Sequence, residues 1–190
     1  MRWFLDTEFD DNGKTIELIS LGLVSEVGHS YYAVSNEFDP ERCSPWLKQN
    51  VLPSLGTSVR SERVTIALNV RDQLLAHDEV AEVWTYFGSY DWVVLCQLYG
   101  RMVDLPKGFP FWHHELKQLM EDCHLSLDDL PKQNGVKHHA LADAAWVRDA
   151  YLWISDRDRA GSDDGRKSDQ TRLRVLMELM QEERRKHRGS

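Results

Sequence analysis

The sequence predicts an α/β domain on a mixed sheet, with an antiparallel N-terminal meander flanked by helices and a C-terminal helical tail. Three observations predict it. Three strand-like runs follow one another with short turns between them, the pattern of a meander. From about residue 60 onward, helix-like and strand-like runs alternate, as they do where a sheet gains further strands through crossovers. After Asp156 the composition turns polar and then basic.

Taken in order, Trp3-Phe4-Leu5 is a short apolar run that reads as a buried strand. Asp10-Asp11-Asn12-Gly13 is a turn signal, because these residue types accept the backbone conformations of tight turns. Thr15 to Val24 mixes β-branched and apolar residues, Gly28 marks the next turn, and Tyr31-Tyr32-Ala33-Val34-Ser35 is the third strand. Asn36 to Gly56 carries Pro40, Pro45 and Pro53, so it is irregular, with one short helix. Ser61 to Ala76 reads as a helix capped by Ser61, with Val64, Leu68 and Leu75 on its apolar face. Glu82 to Phe87 is a fourth strand closed by Gly88, and Tyr90 to Tyr99 is a helix closed by Gly100. His114 to Cys123 is a short helix and Pro131 to Gly135 a loop. His138 to Ile154 is a long helix offering Ala140, Leu141, Ala144, Val147 and Tyr151 for packing.

A length of 190 residues suits one domain with an appendage. We expect the domain over residues 1–157, a linker over 158–168, and an amphipathic basic helix over 169–190 with Leu173, Leu176, Met177 and Met180 on one stripe. From Arg166 onward eight Lys/Arg oppose four Asp/Glu, a surplus of +4; with a net charge of -8 for the chain, the rest carries about -12. That acidic body excludes a protein held on nucleic acid by a broad basic surface, though not one that grips a strand end through bound cations. Cys43, Cys96 and Cys123 are odd in number and lack a C-x-x-C pair, which argues against a disulfide framework or a cysteine zinc site and fits a reducing cytoplasm. Met1-Arg2-Trp3-Phe4-Leu5-Asp6 meets an acid too early for a signal peptide, and no apolar run is long enough to span a bilayer.

The chemistry rests on carboxylates. Asp6-Thr7-Glu8 follows the first strand directly, and residues two apart in a strand point to the same face. Two anions held close repel, and a cation between them relieves the repulsion; hard divalent ions take such oxygen ligands. Alone, the pair fits a solvated strand end equally well. Asp91 follows a strand and opens a helix, where it is also a favourable helix-start acid. His138-His139-Ala140-Leu141-Ala142-Asp143 places His139 and Asp143 on one helical face, with His138 near the helix start and Ala140 and Ala142 allowing a close approach to a sheet.

Together, and in this order, Phe4-Leu5-Asp6-Thr7-Glu8-Phe9, Tyr90-Asp91 and His138-His139-Ala140-Leu141-Ala142-Asp143 resemble the three motifs of the DEDDh exonuclease family, the DnaQ-like branch of the ribonuclease H-like fold. The match spans residues 1 to about 155. Longer runs (Thr15-Ile16-Glu17-Leu18-Ile19-Ser20, Tyr31 to Ser35, Glu37 to Arg42, and Leu95-Cys96-Gln97-Leu98) resemble the ribonuclease AS group of polyadenylate-specific 3′-exoribonucleases. The stretch from Ser54 to Arg63 and the basic tail depart from that pattern.

The resemblance implies a ribonuclease H-like fold and a metal-dependent 3′→5′ exoribonuclease, releasing nucleoside 5′-monophosphates from single-stranded RNA 3′ ends, poly(A) among them, and working as a homodimer. It implies two divalent cations, Mg²⁺ or Mn²⁺, held by Asp6, Glu8, Asp91 and Asp143. Asp6 would bridge both, Glu8 and Asp143 would bind the ion carrying the attacking water, and Asp91 would hold the other. His138 is implied as general base, and His139 stays a rival because a related branch carries its base four residues before the last Asp. Phe9 and Trp92 are candidates for stacking on a terminal base, and Glu115 for accepting an adenine amino group. Phe9 and Trp92 are equally readable as core, and Glu115 reads more readily as a solvated helix-start acid. The same residues would serve an exodeoxyribonuclease; a non-catalytic binding module, or a zinc site from His113, His114, His138 and His139, is a weaker fit to an intact carboxylate set.

Overall fold

β1 (Arg2–Asp11) and β2 (Ile16–Ser25) are ten residues each and pair antiparallel along their whole length. Their turn is closed locally: the Asn12 side chain accepts from the Lys14 and Thr15 amides, the Asp11 carboxylate accepts from Gly13, and Gly13 takes φ +79°, which glycine tolerates without strain. β3 (Ser30–Ser35) adds to β2, completing the expected meander. The structure, a computed structural model, describes residues 1–77 and 80–157. The expected linker over 158–168 and basic helix over 169–190 lie outside the described residues. The chain divides into two compact units, Met1–Leu152 and Trp153–Ser190.

After β3 come α1 (Pro45–Asn50), a 3₁₀ turn (Leu52–Leu55), β4 (Arg60–Ser61), α2 (Arg63–Leu74) and β5 (Glu82–Thr85). Then follow α3 (Ser89–Gln97), β6 (His114–Glu115), α4 (Leu116–Asp122) and α5, helical over 140–157. The sheet order is β4-β3-β2-β1-β5-β6, antiparallel within the meander and parallel at the β3–β4, β1–β5 and β5–β6 pairs. This is the mixed sheet flanked by helices that the sequence predicts. No helix of the described residues is long and apolar enough to cross a membrane.

Alternation along β1 decides what each face carries. Trp3 and Leu5 join Leu21, Leu23, Ile66, Val70, Val83 and Leu95 in one buried cluster beneath α2 and α3. Phe4 points the other way and meets Tyr151 of α5, ring centroids 5.4 Å apart. A second cluster of Ile19, Val34, Phe38, Leu47, Val51 and Leu55 seats α1 and the 3₁₀ turn. α5 lies close to the sheet because Ala140 and Ala144 are fully buried and Gly22, opposite Asp6 in the register, has no side chain. A Cβ on Gly22 would fall inside contact distance of the backbone of Ala140 and Leu141.

Several boundaries differ from expectation. β1 continues through its acidic half to Asp11 because β2 supplies a ladder of partners there, where residue preference alone ends the strand early. Ser61 does not cap α2: it pairs with Ser35 in β4, and Glu62 occupies the cap position. The stripe Val64, Leu68, Leu75 is exposed, and α2 instead buries Ile66, Ala67, Val70 and Leu74. The two stripes have the same helical period, and the position of the sheet selects between them. His114 and Glu115 form the edge strand β6 rather than the first turn of α4. α5 starts at residue 140, with the His139 carbonyl accepting from the amides of Ala142 and Asp143, so both histidines precede the helix.

Because the α5–sheet contact is backbone against glycine, it cannot relax by side-chain rotation. Gly22→Ala should destabilise the protein by ~1–3 kcal/mol or more, the range for overpacking a filled interior. A urea midpoint unchanged from wild type would show that α5 does not need that approach.

Candidate active site

Asp6 and Glu8 share the β1 face that carries Phe4, so both lie under the start of α5. Just beyond Glu8 the β1–β2 register shifts, with Glu8 opposite Ser20 and Phe9 opposite Leu18. Thr7, between the two acids, points to the α3 side. Its amide and hydroxyl both donate to one Asp91 carboxylate oxygen, at 2.7 and 2.6 Å. Asp91 sits in the first turn of α3 and is 5% exposed, so its charge is held against β1.

Asp143 comes from the first turn of α5. One of its carboxylate oxygens accepts from the Gln133 amide and the other from the His138 backbone N–H at 3.0 Å. His138 stands outside the helix with φ +60°, a left-handed conformation that its surroundings must impose. Ser54, 84 residues earlier, donates to the His138 carbonyl at 2.6 Å, and the Trp46 ring meets the imidazole edge-on at 4.9 Å. His139 turns elsewhere, stacked on Tyr32 with centroids 4.4 Å apart.

The four expected acids and His138 are therefore brought together. Asp6, His138 and Asp143 line one cleft. Glu8, His138 and Asp143 each offer a ligand atom, all within 4.8 Å of one another, a spacing that one cation can span. The electrostatics show the crowding. Burial pushes the Glu8 carboxyl up to about 8, with Asp143 and Asp91 adding to the rise. Asp6 is raised well above the carboxylate range by burial, then by Asp91, Glu8 and Asp143. Burial lifts Asp91 to about 6 against the opposing Thr7 hydrogen bonds. Asp143 is raised by burial, against hydrogen bonds from Gln133 and His138. Oxygen donors short of counter-charge suit a hard divalent cation, and the residues fit one.

The three expected base-binding residues fare differently. Phe9 is half-buried and stacks on Tyr90, centroids 5.5 Å apart and planes 9° from parallel. Trp92 belongs to the core: it is 8% exposed and packs against His113, because α3 turns that position inward. Glu115 does not present a free carboxylate. Its oxygens accept from the amides of Phe87, Gly88 and Lys117, at 2.9 to 3.0 Å, so it caps α4 and fixes the loop into α3. His113 bonds Thr85 and His114 stacks on Trp84, so these two are engaged away from His138 and His139. Gln133 and Ser54 were not singled out in the sequence, which carries no local signal for contacts across such separations. Thr7, between the two paired acids, was likewise not singled out as a partner of Asp91.

The mixed sheet, with acids of β1, α3 and α5 close enough to raise one another's pKa, has the architecture of the ribonuclease H-like fold. Solved structures agree on that fold. S. pombe Pop2p, in its Mg²⁺- and Mn²⁺-bound form, superposes with a TM-score of 0.58 at 17% identity, covering 83% of each chain. E. coli exonuclease I in complex with a 5cy-dT13 oligonucleotide gives 0.52 at 15% identity, over 77% of this chain and 38% of that one. Residues 1–154 match the 3′-5′ exoribonuclease Rv2179c-like domain, and the chain belongs to that family. It is 42% identical to the 3′-5′ exoribonuclease Rv2179c of Mycobacterium tuberculosis H37Rv over 165 residues, 85% of this chain and 97% of that protein. The figures are the same for the 3′-5′ exoribonuclease MT2234.1 of strain CDC 1551.

The raised carboxyls link stability to pH with a definite sign. Unfolded carboxyls titrate near ~4, whereas the folded protein keeps protons on Glu8 and Asp6 to higher pH, so the native state binds more protons in that window. In chelator, stability should fall as pH rises from about 5 to about 8, and Glu8→Gln should remove part of the fall. A melting temperature that climbs over the same interval would contradict the burial of these acids.

Proposed function

We propose that the protein is a DEDDh 3′→5′ exoribonuclease that releases nucleoside 5′-monophosphates from single-stranded RNA, with a preference for poly(A) and as a homodimer. The observation that carries this reading is the grouping of Asp6, His138 and Asp143 in one cleft, with Glu8 in ligand reach of His138 and Asp143 and Asp91 near enough to act on Asp6, in a chain that belongs to an exoribonuclease family. The four acids would hold two divalent cations, Mg²⁺ or Mn²⁺. Bound there, the cations would neutralise charge on the phosphoryl oxygens and make water a stronger nucleophile at neutral pH.

The side chains have separate tasks. His138 takes the proton of the attacking water, as histidine can near neutral pH. The water oxygen bonds to phosphorus, the bond from phosphorus to the 3′ oxygen of the preceding nucleotide breaks, and the phosphate leaves on the 5′ carbon of the released nucleoside. Support for His138 over His139 comes from the cleft: the His138 ring lies beside Glu8 and Asp143, while His139 is stacked on Tyr32. Gln133 and the His138 amide orient Asp143, and Thr7 orients Asp91. The Phe9–Tyr90 pair, with Tyr90 47% exposed, offers an aromatic face to a terminal base.

A second reading, an exodeoxyribonuclease with the same residues, draws on the fold neighbour that holds a thymidine oligonucleotide. Matched 5′-labelled RNA and DNA oligonucleotides separate the two. We expect a ladder from the 3′ end on RNA, dependent on Mg²⁺ or Mn²⁺ and abolished by chelator; degradation of DNA alone would reverse the assignment. Asp6→Asn and Asp143→Asn should abolish trimming in a folded protein, and His138→Ala should lower kcat by ~10²–10⁴-fold. Full activity in either Asn variant would sink the proposal. Comparing release from poly(A), poly(U) and poly(C) reads the base preference, with equal rates rejecting it; light scattering reads the dimer.

A further inference from the structure

We infer that Lys132 and Lys137, on the loop leading into α5, form a phosphate clamp for the RNA strand as it enters the cleft, an inference that rests on the exoribonuclease reading. The cleft is about 550 Å³ and is lined by Asp6, His138 and Asp143 together with Tyr86 and Trp146. Lys132 and Lys137 line it as well. The loop that carries them is bound to α5 at successive points. The Trp146 indole N–H donates to the Pro131 carbonyl at 2.9 Å. The Gln133 amide donates to Asp143. Gly135 passes so near the helix that an added Cβ would lie 2.8 Å from the Ala142 Cβ. The His138 N–H closes the series on Asp143 at 3.0 Å.

Positions 131, 133, 135 and 138 are thus the anchors, and the two lysines fall between them. Both are exposed, and neither has an ion-pair partner among the described residues. Asp143 is held by Gln133 and the His138 amide, and neither lysine pairs with it, so both ammonium groups are open to a ligand. The ligand chemistry follows from the neighbours. A chain of net charge -8 with Asp6 and Asp143 lining its cleft repels a polyanion. Two cations lining the same cleft offset that repulsion for a phosphodiester that enters it. Because a lysine–phosphate contact is independent of base identity, the clamp would hold any sequence, leaving discrimination to the aromatic and apolar walls.

The test is the salt dependence of binding, read by anisotropy on a 5′-fluorescein-labelled decaadenylate with Ca²⁺ as the divalent ion. Each phosphate contact to a single strand contributes about 0.7 to the slope of log affinity against log salt. We expect Lys132→Ala/Lys137→Ala to lower that slope by about 1.4 and to weaken binding roughly tenfold at low salt. Lys132→Arg/Lys137→Arg, which keeps the charges, should retain the wild-type slope. A wild-type slope in the double Ala variant would overturn the clamp while leaving the exoribonuclease reading intact. So would weaker binding with an unchanged slope, the mark of a disturbed loop. A wild type that neither binds nor trims RNA would overturn both.

Discussion

Like charges forced into one small volume are the constraint to which the rest of the molecule answers. Asp6, Glu8, Asp91 and Asp143 come from β1, α3 and α5, and each is pushed toward protonation by burial or by the others. Nothing in their own chemistry draws them together. They are held by what surrounds them: Phe4 against Tyr151, Ala140 and Ala144 buried on the sheet, and the absent side chain at Gly22. Burial of one large apolar side chain contributes about 1.5–3 kcal/mol, so a core with a dozen such residues can hold a repulsive cluster in place. Under the proposed function the crowding would become useful, because the charges that oppose folding would favour a divalent cation.

Hydrogen bonds set direction within that crowd. Thr7 fixes Asp91 by two donors from the strand that also carries Asp6 and Glu8, so the first two motifs are tied to each other. Asp143 is held at both oxygens by its preceding loop. His138 is fixed from three sides: its amide to Asp143, its carbonyl to Ser54, and its ring against Trp46. Glu115 plays an architectural part, tying β6 and α4 to the loop that opens α3. A carboxylate with three backbone donors is well placed to hold a loop and poorly placed to recruit a substrate.

How much of this was legible in the sequence follows from the range of the forces involved. The meander was legible because period-two apolar runs and turn residues are local signals, and Asp6, Glu8, Asp91, His138 and Asp143 because their spacing matches a family pattern. The acidic half of β1 was not, since its strand state comes from pairing with β2. Nor was the buried stripe of α2: two stripes of equal period compete, and only the position of the sheet chooses Ile66 over Val64. Trp92 shows the limit for aromatic residues, since proximity in sequence to Asp91 does not say which way a helix turns its ring. The contacts of Ser54 and Gln133 depend on how α1 and the loop before α5 dock, and no local pattern encodes that.

Calorimetry of Mn²⁺ binding near pH 7, in buffers of different ionisation heat, bears most directly on the proposed coupling of charge crowding to cation binding. Glu8, which titrates at about 8, must lose its proton to serve as a ligand. Binding should therefore release protons, with an observed heat that varies between buffers and a release that shrinks in Glu8→Gln. Binding with the same heat in every buffer would contradict it, as would no binding at all.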